Sequence, residues 1–387
     1  MVHAVAANPI CRSPLLFDRI CLTQFAQCTL RRLLCSLSIL LTPAVLFAAD
    51  ADGAQPKAPA CGIFYLLKAD SVNSPSRNLA KEPCWTNPYV QGVLLRTHWN
   101  KIQPSEEAVN WSFFDQGVAL AEQYDKRVGL LVTAGVTTPE WVYAAGASRF
   151  TLRKLRDPKS SPNQPLPWDP VFQAKWGNVI RALGERYDGN PRVAYVVMGG
   201  SGRKAESFFA SAAEDVAAFD QLGGLTSWKT GVEWITDQYA THFSGTPFLL
   251  DLGAPVPSAQ GRTALADVCS YAIAAYPHRF GVKSDGLSAN YDLNAFGARE
   301  VSALSGSTTV GFQMSLPSKR ALNPHGGFLL ADALNRGIGL GAHFIEVYAV
   351  DCNDPVQAQV LTQTADTLKK TSSMPALPEK SGNKTGP

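Results

Sequence analysis

The sequence predicts an α/β protein of the (β/α)8 TIM barrel class. From residue 61 onward, short β-rich runs alternate with longer amphipathic stretches, as expected of repeated βα units around a parallel sheet. Eight such runs are present, whereas an open doubly wound sheet commonly has about five to seven strands. No GxGxxG phosphate-binding loop follows the first run, Gly62 to Leu67. A closed barrel is therefore favoured over an open sheet.

Each element has its own signal. The predicted strands are Gly62 to Leu67, Gln91 to Arg96, Val128 to Thr133, Val193 to Met198, Pro247 to Leu252, Phe280 to Lys283, Thr309 to Met314, and His343 to Val350. The clearest helix follows Asp169, because apolar residues recur there at spacings of three and four between Phe172 and Tyr187. Pro170 suits its first turn and Gly189 its end. Further predicted helices are Phe113 to Tyr124, Gly231 to His242, Thr263 to Tyr276, Phe328 to Gly337, and Pro355 to Lys370.

The two ends of the chain are predicted to lie outside the barrel. Residues 1–51 have the order of a signal peptide and leader: Arg31 and Arg32 precede an apolar run, and small residues follow from Ala48 to Ala51. An uncleaved signal anchor is the alternative. Residues 52–370 are assigned to the barrel and residues 371–387 to a disordered tail. We therefore expect a secreted or periplasmic protein, without stable membrane insertion after cleavage.

Composition and charge limit the partners. The chain is 45% hydrophobic and 17% charged, with a formal net charge of only +3 and no long Lys/Arg stripe. Nucleic acid is therefore not expected as a partner. The oligomeric state remains open. No CxxC motif or Cys/His cluster indicates a metal, and we expect no cofactor.

Four of the eight cysteines would remain after cleavage, namely Cys61, Cys84, Cys269 and Cys352. In an oxidising compartment they would form two disulfides, by any of three connectivities.

The end of the second predicted strand carries the first family resemblance. Arg96 is followed by Trp99, and then by Pro104 and the run from Val109 to Asp115. This pattern resembles clan A glycoside hydrolases, especially β-galactosidase-like barrels, in which R-x-x-W precedes P-x-x-G-x-Y-D/N-F/W. The chain departs from it at Asn100 and Gln103, where the family has glutamate. The resemblance implies that Arg96, Trp99 and Asn100 contact a sugar.

The end of the third strand, Thr138-Pro139-Glu140-Trp141, resembles the P-x-W of the same barrels. A Trp at a sugar site offers a flat apolar face on which a pyranose ring can lie. Trp99 and Trp141 are therefore predicted to contact substrate. The alternative is that both pack between loops.

The most specific resemblance is the R-Y-D-G-N-P-x-V run from Arg186 to Val193, before the fourth strand. In similar barrels a glycine-rich turn and an acid/base glutamate follow, which implies that role for Glu206. Such an acid needs a carboxyl group held against the glycosidic oxygen with a raised pKa. The alternative is a solvated Glu at a helix N-terminus.

A two-carboxylate mechanism needs a second acidic side chain. The resemblance implies a Glu at the end of the seventh strand, but Gln313 stands there, and an amide cannot form the usual glycosyl-enzyme ester. Strand alternation puts Glu346 on one face with Phe344 and Tyr348, so Glu346 is predicted to point into the barrel as nucleophile or base. The alternative is a structural carboxylate paired, for example, with Arg96.

Asp285 and Asn290, after the sixth strand, are further predicted contacts for sugar hydroxyls, as are Gln313 and Tyr348. Asp251 and Tyr291 could serve similarly, although each such group could equally cap a helix or turn. His98 and His325 receive no role, because a lone His is more often structural.

Together these features predict an exported glycoside hydrolase that acts on an oligo- or polysaccharide through Glu206 and Glu346. Two alternatives stay open. One is a carbohydrate-binding barrel that has lost its strand-seven nucleophile. The other is a barrel hydrolase whose acid is an aspartate such as Asp285.

Overall fold

Eight parallel strands close into a barrel in chain order, and the last pairs with the first. They are β1 Gly62–Leu66, β2 Gly92–His98, β3 Arg127–Thr133, β4 Val193–Val197, β5 Phe248–Asp251, β6 Phe280–Leu287, β7 Thr309–Met314 and β8 Phe344–Tyr348. The computed structural model describes residues 56–67, 78–153, 162–292, 297–319 and 322–371. The predicted signal peptide and leader lie outside these ranges, as does the predicted tail except for Thr371. The predicted fold class and all eight strands are confirmed.

Helices surround the barrel. In the described ranges they are α1 Trp99–Ile102, α2 Ser112–Gln123, α3 Glu140–Ala144, α4 Pro170–Tyr187, α5 Ala213–Gln221, α6 Gly224–His242, α7 Ala259–Ala275, α8 Ala298–Leu304, α9 Leu330–Gly339, α10 Ala349–Cys352 and α11 Ala358–Thr371. Helix α4 shows why such a sequence folds locally: the Asp169 side chain accepts hydrogen bonds from the backbone N–H groups of Val171 and Phe172, both at 2.9 Å. Pro170 occupies the first turn, where no N–H partner is needed.

Strand β6 is longer than predicted, because it continues past Lys283 to Leu287. The sequence prediction stopped at the charged and polar residues Lys283, Ser284 and Asp285. Because side chains alternate between the two faces of a strand, Lys283 and Asp285 lie on the same face of β6. Both side chains point into the barrel, so the extension positions charge there.

The lower half of the barrel interior is filled by aromatic rings. Phe64 and Phe344 have their ring centroids 5.6 Å apart, and Tyr195 lies 5.1 Å from the first and 4.8 Å from the second. Glycines on neighbouring strands make room: a Cβ at Gly129 would lie 2.3 Å from the Tyr195 ring, and one at Gly311 would lie 2.2 Å from the Phe344 ring. We call Phe64, Tyr195 and Phe344 the aromatic plug. Polar side chains occupy the barrel above it.

The four cysteines Cys61, Cys84, Cys269 and Cys352 are all free thiols in the structure. The expected disulfides are therefore not found. Cys84, Cys269 and Cys352 are buried in the core between strands and helices, where a thiol behaves as a small apolar side chain.

Among the helices of the described ranges, none is both long enough and apolar enough to span a lipid bilayer.

Candidate active site

A fully buried lysine organises the polar half of the barrel interior. The Nζ atom of Lys283 lies 3.0 Å from Oδ2 of Asp251 and 3.3 Å from Oε2 of Glu346, and it also donates to Oδ1 of Asp285. Burial alone would lower the pKa of Lys283, but the three carboxyl groups outweigh it and raise that pKa well above its ordinary value. The ammonium group is therefore charged and is not a nucleophile. We call Asp251, Lys283, Asp285 and Glu346 the buried cluster.

The two aspartates of the cluster are shifted in opposite directions. Burial, reinforced by the nearby charge of Asp285, raises the pKa of Asp251 well above its ordinary value. Burial would also raise the pKa of Asp285, but Lys283 outweighs it and the net shift is downward. The Asp285 side chain is 28% exposed, whereas that of Asp251 is fully buried. Burial thus disfavours ionisation of Asp251 in the interior, whereas Lys283 favours ionisation of Asp285 at the solvent side.

Glu346 lies in the barrel interior below the mouth, although a nucleophile or base would have to reach the substrate. Its side chain is fully buried, and Oε1 accepts a hydrogen bond from the Tyr195 hydroxyl at 2.7 Å. Burial raises its pKa, which Lys283 partly offsets. The predicted inward orientation is therefore present, but Glu346 pairs with Lys283 and Tyr195 rather than with Arg96.

Gln313 on β7 is the direct register partner of Glu346 on β8. Its side chain is 6% exposed, and its Oε1 atom is buried without a hydrogen-bond partner among the described residues. Buried acceptors are normally satisfied, so Gln313 Oε1 marks a place where a donor group of a bound molecule can be received.

Glu206 is brought to the cluster by its backbone. Glu206 and Asp251 form a parallel β-bridge, and the backbone N–H of Ser207 donates to the Asp251 carbonyl at 3.0 Å. The Glu206 side chain is half-buried. It lies in the loop after β4, at the carboxyl end of the strands, which we call the barrel mouth. The structure thus brings Glu206, Asp251, Asp285, Gln313 and Glu346 to one region.

Arg96 and His98 are two residues apart on β2 and are both half-buried. Leu94, on the same strand, packs in the barrel interior. Because alternate residues of a strand share a face, Arg96 and His98 also point toward the barrel axis. The charge of Arg96 acts on Asp285 and on Tyr348, so the guanidinium lies within electrostatic range of both. The His98 Nδ1 atom is hydrogen-bonded to the Thr133 hydroxyl at 2.7 Å.

The two tryptophans are held by protein contacts. Trp99 is fully buried, its Nε1 donates to Gln103 Oε1 at 2.7 Å, and its ring packs against Trp176. No ring face of Trp99 remains for a sugar, which corrects the predicted contact. Trp141 is half-buried and donates to the Gln103 carbonyl at 3.0 Å. The packing alternative therefore describes Trp99, and for Trp141 contact with a sugar stays a prediction.

The remaining predicted contacts differ in position. Asn100 is exposed on α1, and Asn290 is exposed in the turn after β6. Tyr348 points into the mouth, and its hydroxyl donates to the Ser315 carbonyl at 3.2 Å. It lines a cavity of about 640 Å³ with Leu66, Pro317, Lys319, Leu322, Ala349, Val350 and Asn353. That volume is within the range of small-molecule sites.

Sequence reasoning missed Lys283 and Tyr195. Lys283 is the last residue of the sixth predicted strand, and that prediction gives its charge no role. Strand alternation could have identified it. Val282 is a core residue that faces the helices, so the side chain of the next residue, Lys283, must face the barrel interior. Tyr195 carried no comparable signal, because its hydroxyl partner lies 151 residues away.

Comparisons with known proteins agree with this architecture. The profile of the Glyco_hydro_42 family, described as β-galactosidase, matches residues 93–241, which is less than half of the chain. The predicted resemblance to β-galactosidase-like barrels of clan A is confirmed. No match was found among curated proteins.

Among solved structures, a β-galactosidase from the psychrophilic Marinomonas ef1 superposes with a TM-score of 0.53 at 11% identity, covering 81% of this chain and 62% of that enzyme. Two others are a catalytic mutant of Gan42B, a GH42 β-galactosidase from G. stearothermophilus, and a cold-adapted β-galactosidase from Rahnella sp. R3. The first gives a TM-score of 0.48 at 11% identity and covers 83% of this chain and 59% of that one. The Rahnella enzyme gives a TM-score of 0.47 at 10% identity and covers 82% of this chain and 58% of that one. The chain spans less than two thirds of each of these enzymes, and the likeness to the Marinomonas enzyme shows a shared barrel fold.

Proposed function

We propose that this protein is an exported glycoside hydrolase that cleaves an oligo- or polysaccharide at the barrel mouth. The observation that carries the proposal is geometric: the β-bridge to Asp251 brings Glu206 to the buried cluster, where Lys283 pairs with the partly exposed carboxyl group of Asp285. Paired carboxyl groups, one ionised and one able to give a proton, are the requirement for glycosidic hydrolysis.

In this proposal Asp285 is the ionised carboxylate and Glu206 is the general acid. As the bond from the anomeric carbon to the glycosidic oxygen breaks, Glu206 gives its proton to that oxygen. The anomeric carbon receives either a carboxylate oxygen of Asp285 or a water molecule whose proton passes to Asp285. In the first case a water molecule, whose proton passes to the Glu206 carboxylate, then displaces Asp285 from the anomeric carbon and releases the sugar. Lys283 keeps Asp285 ionised without taking part, because its ammonium group is already enclosed by carboxylates.

The pair expected from sequence, Glu206 with Glu346, receives less support. Both oxygens of Glu346 lie within the buried cluster, and none of its side chain reaches solvent. We propose that Glu346 positions Lys283. Glu346→Gln would then lower activity less than Asp285→Asn, and the reverse order would assign the catalytic role to Glu346.

A second candidate function is carbohydrate binding without turnover. The observation that favours it is the buried Gln313 amide at the strand-seven position, where an amide can bind a hydroxyl group but cannot form a glycosyl ester. In that case Gln313→Ala would weaken sugar binding although the native protein shows no hydrolysis.

The test is a screen of the purified protein on chromogenic glycosides and on plant and microbial polysaccharides. We expect hydrolysis by the native protein, loss of about two orders of magnitude or more in Glu206→Gln and Asp285→Asn, and retention in Asp267→Asn, a surface carboxylate on α7. Gln313→Ala should raise KM more than it lowers kcat. Binding without hydrolysis would establish the second candidate.

Export is proposed from the sequence of residues 1–51 alone. Mass spectrometry of the protein recovered from a secretion-competent host should find the mature chain beginning between about Ala48 and Ala51. A mature chain that still carries Arg31 would contradict export with cleavage.

A further inference from the structure

Arg96 is a positive charge inside the barrel mouth, and no carboxyl group of the described residues lies within ion-pair distance of it. Its side chain is half-buried and faces the axis from β2. Within the described ranges it forms no hydrogen bond and no ion pair. Lys283 shows the contrast, because its ammonium group is surrounded by three carboxyl groups. A half-buried guanidinium is costly to leave unpaired, so its position suggests that the counterion comes with the ligand.

Two lysines lie on the same side of the mouth. Lys101 is on α1, five residues after Arg96, and Lys204 is in the loop after β4. That loop is held over the end of β3, since the Val136 N–H donates to the Arg203 carbonyl at 2.8 Å. The charges of Arg96, Lys204 and Lys101 all act on His98, so the three cations lie within electrostatic range of that side chain. Neither lysine is paired with another residue in the part of the chain that the structure describes.

His98 adds a neutral hydrogen-bonding group to this surface. Burial, together with the three neighbouring cations, lowers the pKa of His98 to about 4, so the ring is uncharged at neutral pH. Its Nδ1 atom is engaged with Thr133, which leaves Nε2 for a ligand. The charge at this place is therefore set by Arg96, Lys101 and Lys204.

We propose that Arg96, Lys101 and Lys204 bind an oxyanion carried by the substrate, so that the glycan recognised at this mouth contains acidic sugar units. A planar guanidinium binds a carboxylate through two parallel hydrogen bonds, and the lysines add charge around it. A sugar held in this way lies beside Asp285, which the charge of Arg96 also reaches. The inference rests on the proposed function for the location of the substrate, and it adds the chemical class.

The test is binding rather than turnover. Calorimetry with trigalacturonate, its uncharged methyl ester and a sulfated galactose trisaccharide compares carboxylate, neutral and sulfate forms of one sugar skeleton. We expect the carboxylate form to bind about ten- to a hundredfold more tightly than the ester. Arg96→Gln and Lys204→Ala should each remove most of that preference, and the Arg262→Gln control, an exposed residue on α7, should keep it.

The outcomes separate the two proposals. Tighter binding of the sulfated form, with the same loss in Arg96→Gln, would support the oxyanion site and assign it to sulfate esters. Equal binding of charged and neutral forms, unchanged in Arg96→Gln, would overturn the inference and leave the proposed function standing. Failure of every sugar to bind would count against both.

Discussion

The Nζ atom of Lys283 lies 3.0 Å from Oδ2 of Asp251, and neither side chain is exposed to solvent. Removing one member of such a pair leaves buried charge without compensation, which costs far more than the pair itself contributes. This relationship makes Lys283 the residue on which the polar interior depends.

Replacing Lys283 with Met should destabilise the protein by about 3 to 5 kcal/mol, because the carboxyl groups of the buried cluster would lose their shared cation. Urea unfolding at neutral pH measures the change. The matched control is Lys229→Met, since Lys229 pairs with Asp267 at the surface, where the side chains are 34% and 48% exposed. That variant should change stability by no more than about 1 kcal/mol. Equal losses in both variants would contradict the buried network.

Asp251 should make folding less favourable as the pH rises. Its pKa in the folded state is raised, so its contribution to stability is fully present below about pH 4, the ordinary pKa of an unfolded Asp, and is lost as the pH rises toward the folded value. Asp251→Asn cannot ionise and should lose less stability between pH 4 and 8 than the native protein. Unfolding free energies at several pH values test this. Asp267→Asn is the control, and a pH dependence identical in Asp251→Asn and the native protein would contradict the raised pKa.

Gly135 allows the loop after β4 to approach the end of β3. Its φ is +64°, and a Cβ there would lie 2.2 Å from the Arg203 carbonyl oxygen. Gly135→Ala should therefore destabilise the fold by more than about 2 kcal/mol and displace Lys204 and Glu206. Thermal unfolding provides the measurement. At Gly189 a Cβ would meet nothing within 4 Å, so Gly189→Ala should stay within about 1 kcal/mol of the native protein.

The buried thiols should resist alkylation in the native state. Burial raises the pKa of Cys84 and of Cys269 to about 12, which suppresses the reactive thiolate. Iodoacetamide labelling at pH 8, mapped by mass spectrometry, should modify Cys84, Cys269 and Cys352 only after denaturation. Half-buried Cys61 is the internal comparison. Recovery of any two of the four as a disulfide would restore the pairing expected for an oxidising compartment.

The barrel was predictable because its strands and helices are local patterns of apolar residues. The site was less predictable, since its contacts join residues far apart in the chain: Tyr195 on β4 meets Glu346 on β8, 151 residues away, and Lys283 on β6 meets Asp251 on β5, 32 residues away. Alternation correctly pointed Glu346 inward, but it could not reveal how deep the carboxyl lies or which cation it meets. Trp99 shows a second limit, because a motif at a strand end does not fix whether its side chain turns toward the axis or toward the helices.

The aromatic plug closes one end of the polar barrel interior. Phe64, Tyr195 and Phe344 are each buried and in contact, so they form an apolar barrier beneath Glu346 across which neither water nor ions pass readily. The Tyr195 hydroxyl is the one polar group of the plug, and it is engaged by Glu346. Protons that leave or enter the buried cluster must therefore travel by the same opening as the ligand. A molecule seated at that opening would isolate the cluster from bulk solvent, so its protonation state would be fixed for as long as the molecule stays bound.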